Sequence, residues 1–259
     1  MTGTAKSKSA SIASVSLRQA ASVVRDPSIR NVLLAGPPGV GKTTFCFMMA
    51  DLLKQPAYKV QNHSEATPSE MFGMHVPDGK SFRWEPGPLD LAYTNNGILI
   101  LDEIVEASGP CKTFLYGALD TGRGGEISYV GKTFRPGDKY KCFATMNGWP
   151  ADGSLPEALL DRFDATFIIT KPGEKQLELL EEDLREFCED AYDGIAEDPS
   201  KDIMDGPIFT FRMLRSLQNL RRLLPLEQAV LAACRGDQET AGSFLEIFAL
   251  NDTGLDTLN

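Results

Sequence analysis

A nine-residue segment between an apolar run and a helix-like run constrains this chain more than any other feature. Residues 36–44 read Gly-Pro-Pro-Gly-Val-Gly-Lys-Thr-Thr and match the pattern G-x-x-x-x-G-K-[ST] in full. They follow the apolar run Val32 to Ala35 and precede the helix-like run Phe45 to Ala50. Glycines at such a turn let backbone N–H groups and the helix N-terminus point at an anion. The sequence therefore predicts a phosphate-binding loop between a strand and a helix.

The residues of this loop have distinct expected roles. Lys42 would carry its charge to the β- and γ-phosphate oxygens, and Thr43 would offer its hydroxyl to Mg²⁺. Gly/Pro-rich turns that end in Lys-Thr also occur by chance, but the flanking strand and helix favour a nucleotide site. The residues expected to bind the nucleotide are Gly36, Pro37, Gly39, Val40, Gly41, Lys42, Thr43 and Thr44.

The order of predicted elements indicates the fold class. Strands alternate with helices up to residue 172, which favours a parallel sheet with helices on both faces. Beyond that point the pattern is helical throughout and predicts a small all-helical lid. We expect a flexible N-terminal tail and lead-in helix over 1–25, an α/β nucleotide-binding domain over 26–172 and the lid over 173–259. The first 25 residues faintly resemble an organelle transit peptide, but a tail that leads into a helix at Ser16 to Val24 explains them as well.

Composition limits the partners of the chain. Its 259 residues are 42% apolar and 24% charged, and no apolar stretch approaches the roughly 20 residues that cross a bilayer. A formal charge of −10 gives no long-range attraction for nucleic acid. The five cysteines are widely spaced without a C-x-x-C pair, which is typical of reduced thiols in a cytoplasmic protein. Neither histidine has a second ligand at metal-binding spacing.

A second apolar run ends in two adjacent carboxylates. Residues 97–101 read Gly-Ile-Leu-Ile-Leu and lead directly into Asp102 and Glu103. Taken alone, such a pair is often a solvated strand end, but behind a complete phosphate loop it indicates a nucleotide site. We expect Asp102, with Thr43, to hold Mg²⁺ or its water shell, and Glu103 to orient and polarise the attacking water.

Two further polar residues follow later predicted elements. Asn147 ends an apolar strand, where its amide is expected to bond the γ-phosphate and the hydrolytic water, although a strand-end Asn is also a common turn former. Arg162 ends a short helix predicted over 156–161. It either pairs with a neighbouring aspartate or acts as an arginine finger on the site of an adjacent subunit.

The lid contributes one candidate of its own. Arg212 lies in the first turn of a predicted lid helix and is expected to be a second sensor that contacts the γ-phosphate. Arg215, Arg221 and Arg222 lie close by and compete for this role.

Together these motifs resemble the AAA+ ATPases, and within them the MoxR-type or dynein-related branch. The resemblance implies an insertion within the second helix over 73–87 and a pre-sensor hairpin over 124–136, which would act as levers. In place of the usual Gln and Asn-Pro step the chain has Met146 and Asn147-Gly148, a sequence also similar to McrB-like GTPase motors. No Asn-Lys-x-Asp motif is present to read guanine, so ATP is favoured. The resemblance extends from residue 31 to the lid and depends on residues 36–43, 71–73, 82–89, 101–104, 144–147 and 155–163.

The function expected from this resemblance is a hexameric, ATP-hydrolysing ring protein that remodels or activates a protein partner. One alternative is a nucleic-acid motor or loader, for which Lys132, Arg135, Lys139 and Lys141 would line a basic pore. Another is an assembly switch that binds ATP and hydrolyses it only incidentally. Because a pure switch needs no water activator, the presence of both Glu103 and Arg162 argues against the last of these.

Overall fold

The computed structural model describes residues 16–120, 126–197 and 209–253. The predicted tail, residues 1–15, lies outside them, as do the first two residues of the predicted pre-sensor hairpin. Helix α1 spans Leu17–Val24. Its capping residue Ser16 accepts a hydrogen bond from the Gln19 backbone, and the Gln19 side chain accepts one from the Ser16 backbone. This capping box fixes the helix start, and the predicted lead-in helix is confirmed.

A five-stranded parallel sheet forms the centre of the molecule, with strand order β2-β5-β8-β1-β9. Successive residues of β1 point to opposite faces, so that Val32 and Leu34 lie in one apolar core and Leu33 and Ala35 in the other. A sheet buried on both faces requires such apolar strands, and the predicted fold class is confirmed. The strands are β1 Asn31–Ala35, β2 Ala57–Gln61, β5 Ile98–Asp102, β8 Lys141–Met146 and β9 Ala165–Ile168.

Helices connect these strands and cover the sheet. Helix α5 illustrates how they begin: the Ser108 hydroxyl accepts a hydrogen bond from the Cys111 backbone at its first turn. The helices of this region are α2 Lys42–Leu53, α3 Pro68–Phe72, α4 Pro88–Thr94, α5 Gly109–Leu119 and α6 Glu157–Leu160. Among the described residues, no helix has both the length and the apolar character needed to cross a lipid bilayer.

Two antiparallel hairpins project from this framework. The first pairs β3 Gly73–Asp78 with β4 Ser81–Pro86, and the second pairs β6 Ile127–Tyr129 with β7 Lys132–Phe134. In the second, Val130 and Gly131 both have positive φ, as a two-residue hairpin turn requires.

An ion pair between a buried carboxylate and a partly exposed lysine joins the two hairpins. The Asp90 side chain, 7% exposed, accepts hydrogen bonds from Trp84 Nε1 at 2.7 Å and from Nζ of Lys132, which follows the turn of the second hairpin. Trp84 belongs to β4 and Lys132 to β7, and the Lys132 ammonium also lies 4.8 Å from the centre of the Trp84 ring. The two hairpins are therefore linked to each other and to α4.

The C-terminal region is helical, as predicted, but its first helix is not continuous. The sequence predicts one helix from Glu174 to Asp190, whereas the chain leaves the helix between α7 and α8. Here the Leu179 carbonyl accepts hydrogen bonds from the side chains of Arg215 and Gln218. Two side chains of the next helix thus bond the Leu179 carbonyl, which in a continuous helix would accept a backbone hydrogen bond. The helices are α7 Glu174–Leu177, α8 Glu182–Glu197, α9 Phe211–Leu220, α10 Leu226–Ala233 and α11 Gln238–Thr253.

Candidate functional site

The loop between β1 and α2 has the backbone that its glycines allow. Gly36 has φ 143°, and a Cβ there would lie 2.0 Å from the Ile169 carbonyl oxygen. Gly41 has φ 92° and precedes the first residue of α2, and a Cβ there would lie 2.4 Å from Oε1 of Gln176. Gly36 has no room for a side chain because the obstacle is backbone, whereas the Gln176 side chain beside Gly41 could move; the positive φ favours glycine at both positions. The loop therefore approaches β9 and α7 closely while it turns into the N-terminus of α2.

The Lys42 ammonium is held by the loop itself. Its Nζ donates to the carbonyls of Gly36 at 2.8 Å and Pro37 at 2.7 Å, and to Oδ1 of Asn147 at 3.0 Å. Burial lowers the pKa of Lys42 to about 8, although the nearby carboxylates of Asp102 and Glu103 oppose this effect. An anion placed against this ammonium would favour its charged form.

Three neighbouring side chains bond the Asp102 carboxylate. Its Oδ1 accepts hydrogen bonds from Thr43 at 2.7 Å and Thr145 at 2.6 Å, and its Oδ2 lies 2.6 Å from the Lys59 ammonium. Burial raises the pKa of Asp102, but the hydrogen bonds from Lys59, Thr145 and Thr43 outweigh it, so the net pKa lies below the ordinary value. The carboxylate is therefore ionised at neutral pH and fixed in orientation.

Glu103, the next residue, has a backbone conformation that few non-glycine residues adopt. Its φ is 54° and its ψ is 54°, and its N–H donates to the Thr145 hydroxyl at 3.1 Å. The left-handed conformation turns the chain at the end of β5. Its carboxylate accepts a hydrogen bond from Gln61 Nε2 at 3.0 Å, across the β2–β5 pair.

A cavity of about 360 Å³ at the carboxyl edge of the sheet gathers these groups. This volume lies within the range of small-ligand sites. Nine residues that the sequence singles out line it together: Gly39, Gly41, Lys42, Thr43, Thr44, Asp102, Glu103, Asn147 and Arg212. Gly36, Pro37 and Val40, also expected to bind the nucleotide, are not among its lining residues. The hydroxyl of Thr43 and the carboxylate of Asp102 are the hard oxygen donors that Mg²⁺ prefers, and they already contact each other. The donor set therefore fits a magnesium–nucleotide complex.

Arg212 and its three competitors differ in what they contact. Arg212 and Arg215 both line the cavity, whereas Arg221 pairs with Glu181 and Asp183. Arg222 also pairs with Glu181. Of the three competitors, only Arg215 can reach the cavity beside Arg212.

Arg162 lies outside this cavity. Its Nε donates to the Tyr116 carbonyl at 3.0 Å, its guanidinium lies 5.1 Å from the centre of the Tyr116 ring, and Nη1 donates to the Ala158 carbonyl. Arg162 therefore bonds backbone carbonyls and does not pair with a neighbouring aspartate. The guanidinium is fixed at a surface of the chain, away from its own phosphate loop.

Sequence reasoning missed three residues that hold the carboxylates in place. Lys59 and Gln61 lie on β2, and the register of the sheet sets Gln61 opposite Asp102. Thr145 precedes Asn147 by two positions and bonds both Asp102 and the Glu103 backbone. The alternation of polar residues Lys59 and Gln61 along β2 was the only available signal, and it becomes informative once β2 is known to neighbour β5.

The four basic residues that the nucleic-acid alternative would use as a basic pore differ in their contacts. Lys132 pairs with Asp90, and Arg135 pairs with Glu126. Lys141 is 7% exposed and donates to the backbone carbonyls of Asp26 and Ile29. Lys139 is exposed, but the other three do not present free charge to a pore.

The cysteines and histidines take structural positions. All five cysteines are buried with free thiols: Cys46, Cys111, Cys142, Cys188 and Cys234. His63 lies 3.3 Å from the Glu70 carboxylate, and His75 packs edge-on against Trp84.

Comparison with known proteins gives one family and several relatives. Residues 31–163, slightly more than half of the chain, match the model of the AAA domain (dynein-related subfamily). The chain is 32% identical over 116 residues to the denitrification regulatory protein NirQ of Pseudomonas aeruginosa, covering 45% of each chain. It is 33% identical over 116 residues to protein NorQ of Paracoccus denitrificans, covering 45% of this chain and 43% of NorQ.

A third relative is protein CbbQ of Hydrogenophilus thermoluteolus, 37% identical over 76 residues, which cover 29% of this chain and 28% of CbbQ. In each case the match spans less than half the length of the relative.

Proposed function

Because the chain belongs to the dynein-related subfamily of AAA domains, a family of ATPases, we propose that it hydrolyses ATP in the cavity between the phosphate loop and the lid. The observation that carries this proposal is the convergence of Lys42, Asp102, Glu103 and Asn147 on one cavity. These residues come from three separate stretches of the chain, and the reaction needs them together.

The proposed reaction is in-line attack of water on the γ-phosphorus. A bond forms between the water oxygen and the phosphorus, the bond to the β–γ bridging oxygen breaks, and ADP and inorganic phosphate leave. The Glu103 carboxylate accepts the proton of the attacking water, and the Asn147 amide positions that water. Lys42 and the loop N–H groups hold the phosphate oxygens, and the Arg212 guanidinium reaches the γ-phosphate from the lid.

Thr43 and Asp102 would hold Mg²⁺. When bound, the ion neutralises charge on the β- and γ-phosphate oxygens. The ionised state and fixed orientation of the Asp102 carboxylate prepare the site for a cation. Displacement of the Lys59 ammonium from Oδ2 would accompany metal binding.

We further propose that the site is shared between copies of the chain in a hexameric ring. Arg162 is held rigidly at a surface by Tyr116 and lies outside its own cavity, which is the placement that action on a neighbouring subunit requires. The ring would use ATP turnover to remodel or activate a protein partner through the two hairpins. One similar protein, NirQ, is named a denitrification regulatory protein, which supports a partner in another chain. The five free thiols support a reducing, cytoplasmic location.

The nucleic-acid alternative loses its main support, because Lys132 and Arg135 are paired with acids and Lys141 is buried. The assembly-switch alternative does not account for a glutamate that lines the cavity beside Asn147.

Phosphate release by the purified chain with Mg²⁺ and ATP tests the proposal. Lys42→Ala removes the ammonium that the loop holds, and we expect it to abolish ATP binding and turnover. Lys175→Ala, on the exposed surface of α7, is the matched control and should leave both unchanged. Turnover in Lys42→Ala at the wild-type rate would refute the assignment of the site.

A further inference from the structure

The hydroxyl of Tyr192 connects the phosphate loop to the lid helix that carries Arg212. It donates to the Pro38 carbonyl at 3.2 Å and accepts from the Phe211 backbone N–H at 3.2 Å. Pro38 lies within the loop, and Phe211 is the first residue of α9. Tyr192 itself is fully buried and belongs to α8, so one lid helix bridges the loop and a second lid helix.

Both bonds satisfy groups that otherwise have no partner in their own element. The first N–H groups of a helix have no acceptor within the helix, and Thr210 caps that of Met213. The N–H of Phe211 is satisfied by Tyr192 instead. A buried hydroxyl that both donates and accepts is held in one orientation, and each bond depends on the other element staying in place.

Packing at the neighbouring glycine shows how tightly the two elements meet. A Cβ at Gly39 would lie 3.3 Å from Cβ of Thr210 and 3.4 Å from the Tyr192 hydroxyl. The loop therefore rests directly on the start of α9. Arg212 and Phe211 line the same cavity as Lys42, so a displacement of Pro38 changes the position of groups that face the ligand.

We propose that Tyr192 is a positioning residue that couples the phosphate loop to the lid, so that occupancy of the loop fixes the start of α9 and the direction of Arg212. This inference depends on the proposed nucleotide site. It concerns a side chain that does not line the cavity and whose hydroxyl bonds backbone atoms of both partners. The hydroxyl of Tyr192 can therefore be removed by substitution while its ring is kept.

Hydrogen exchange of backbone amides with and without Mg²⁺ and ADP tests the coupling in the full chain. In the wild type, ADP should slow exchange both in the loop, residues 36–45, and at the start of α9, residues 209–220. Tyr192→Phe removes the hydroxyl and keeps the ring. We expect it to retain the ADP-induced slowing in the loop and to weaken that slowing about thirtyfold at α9, as the loss of two ordinary hydrogen bonds implies.

Tyr93→Phe is the matched control, because Tyr93 is also buried and its hydroxyl donates to the Ala118 carbonyl at 3.2 Å, in the other core. It should keep both responses. Unchanged ADP-induced slowing at α9 in Tyr192→Phe would overturn the coupling. No slowing in the wild-type loop would instead refute nucleotide binding itself, so the two failures are distinguishable.

A second pair of variants breaks the bridge from the lid side, in case Tyr192→Phe does not fold. Phe211→Pro removes the donor N–H at the first helical position, where proline is tolerated. Thr210 before it has φ −76° and ψ 153°, which a following proline accepts. Phe211→Ala loses the same side chain and keeps the N–H. We expect the ADP response at α9 to be about fivefold weaker in Phe211→Pro than in Phe211→Ala, for the loss of one bond. Equal responses in the two would overturn the coupling.

Discussion

The side-chain amide of Gln61 donates a 3.0 Å hydrogen bond to the Glu103 carboxylate, across two neighbouring strands of the sheet. Glu103 is the proposed base, and this bond occupies one of its oxygens. Glu103 has to break this bond before both of its oxygens can engage water. Breaking it adds the free energy of one exposed hydrogen bond, about 1 kcal/mol, to the barrier of turnover.

Gln61→Leu should therefore raise basal kcat by about fivefold with little change in KM, because Gln61 does not line the nucleotide cavity. Steady-state phosphate release measures both constants. A fall in kcat would show instead that Gln61 holds Glu103 in its productive position.

Glu103→Gln should bind ATP with the wild-type affinity and lose turnover by at least about a hundredfold, since the amide cannot accept the proton of water. Nucleotide binding and phosphate release are measured on the same preparation. Glu106→Gln, whose side chain lies in the neighbouring cavity, is the matched control and should keep its activity. Robust hydrolysis by Glu103→Gln would remove the assignment of the base.

Arg162→Ala should also abolish turnover while leaving ATP binding intact, because the guanidinium lies outside its own cavity. Mixing Arg162→Ala with Glu103→Gln should restore part of the activity, since some interfaces then combine an intact base with an intact arginine. Activity is measured against the mixing ratio, with each variant alone as the baseline. No recovery in an assembled mixture would argue against shared sites.

ATP binding should take up protons at alkaline pH. Burial lowers the pKa of Lys42 to about 8, so the free protein has lost most of this charge at pH 8.5, whereas bound phosphate restores it. Affinity should therefore fall as pH rises above about 8. Calorimetry in buffers of different ionisation enthalpy should show an uptake of about 0.7 proton at pH 8.5 and almost none at pH 6.5. Lys42→Arg, which stays charged, should show none at either pH.

The ion pair between Asp90 and Lys132 should increase the free energy of unfolding. Lys132→Met leaves the carboxylate of Asp90, 7% exposed, without its cation and should lower the free energy of unfolding by about 2 kcal/mol, because Asp90 keeps its hydrogen bond from Trp84. Arg135→Met in the same hairpin breaks an exposed pair with Glu126 and should cost less than about 1 kcal/mol. Urea unfolding monitored by circular dichroism compares the two. Equal losses in the free energy of unfolding would show that the pair between Asp90 and Lys132 stabilises the hairpins no more than an exposed pair does.

The sequence by itself determined the elements whose signals are local. The loop at 36–44 requires a strand, a tight glycine turn and a helix in immediate succession, so its structure follows from short-range constraints. Asp102 and Glu103 end an apolar strand, and parallel strands place their carboxyl ends at one edge. For these reasons the fold class was predictable, and so was the placement of the loop and the two carboxylates at one edge of the sheet.

Only the tertiary structure decided which side chains bond across elements. The contacts of Gln61 with Glu103 and of Lys59 with Asp102 depend on β2 lying next to β5, which no local pattern states. The continuous helix predicted from residue 174 to residue 190 was wrong for the same reason, because side chains of α9 take its backbone acceptor. The Tyr192 bridge likewise exists only once the lid is docked on the loop. Periodicity along a chain records what is buried, whereas partners distant in sequence are set by packing geometry.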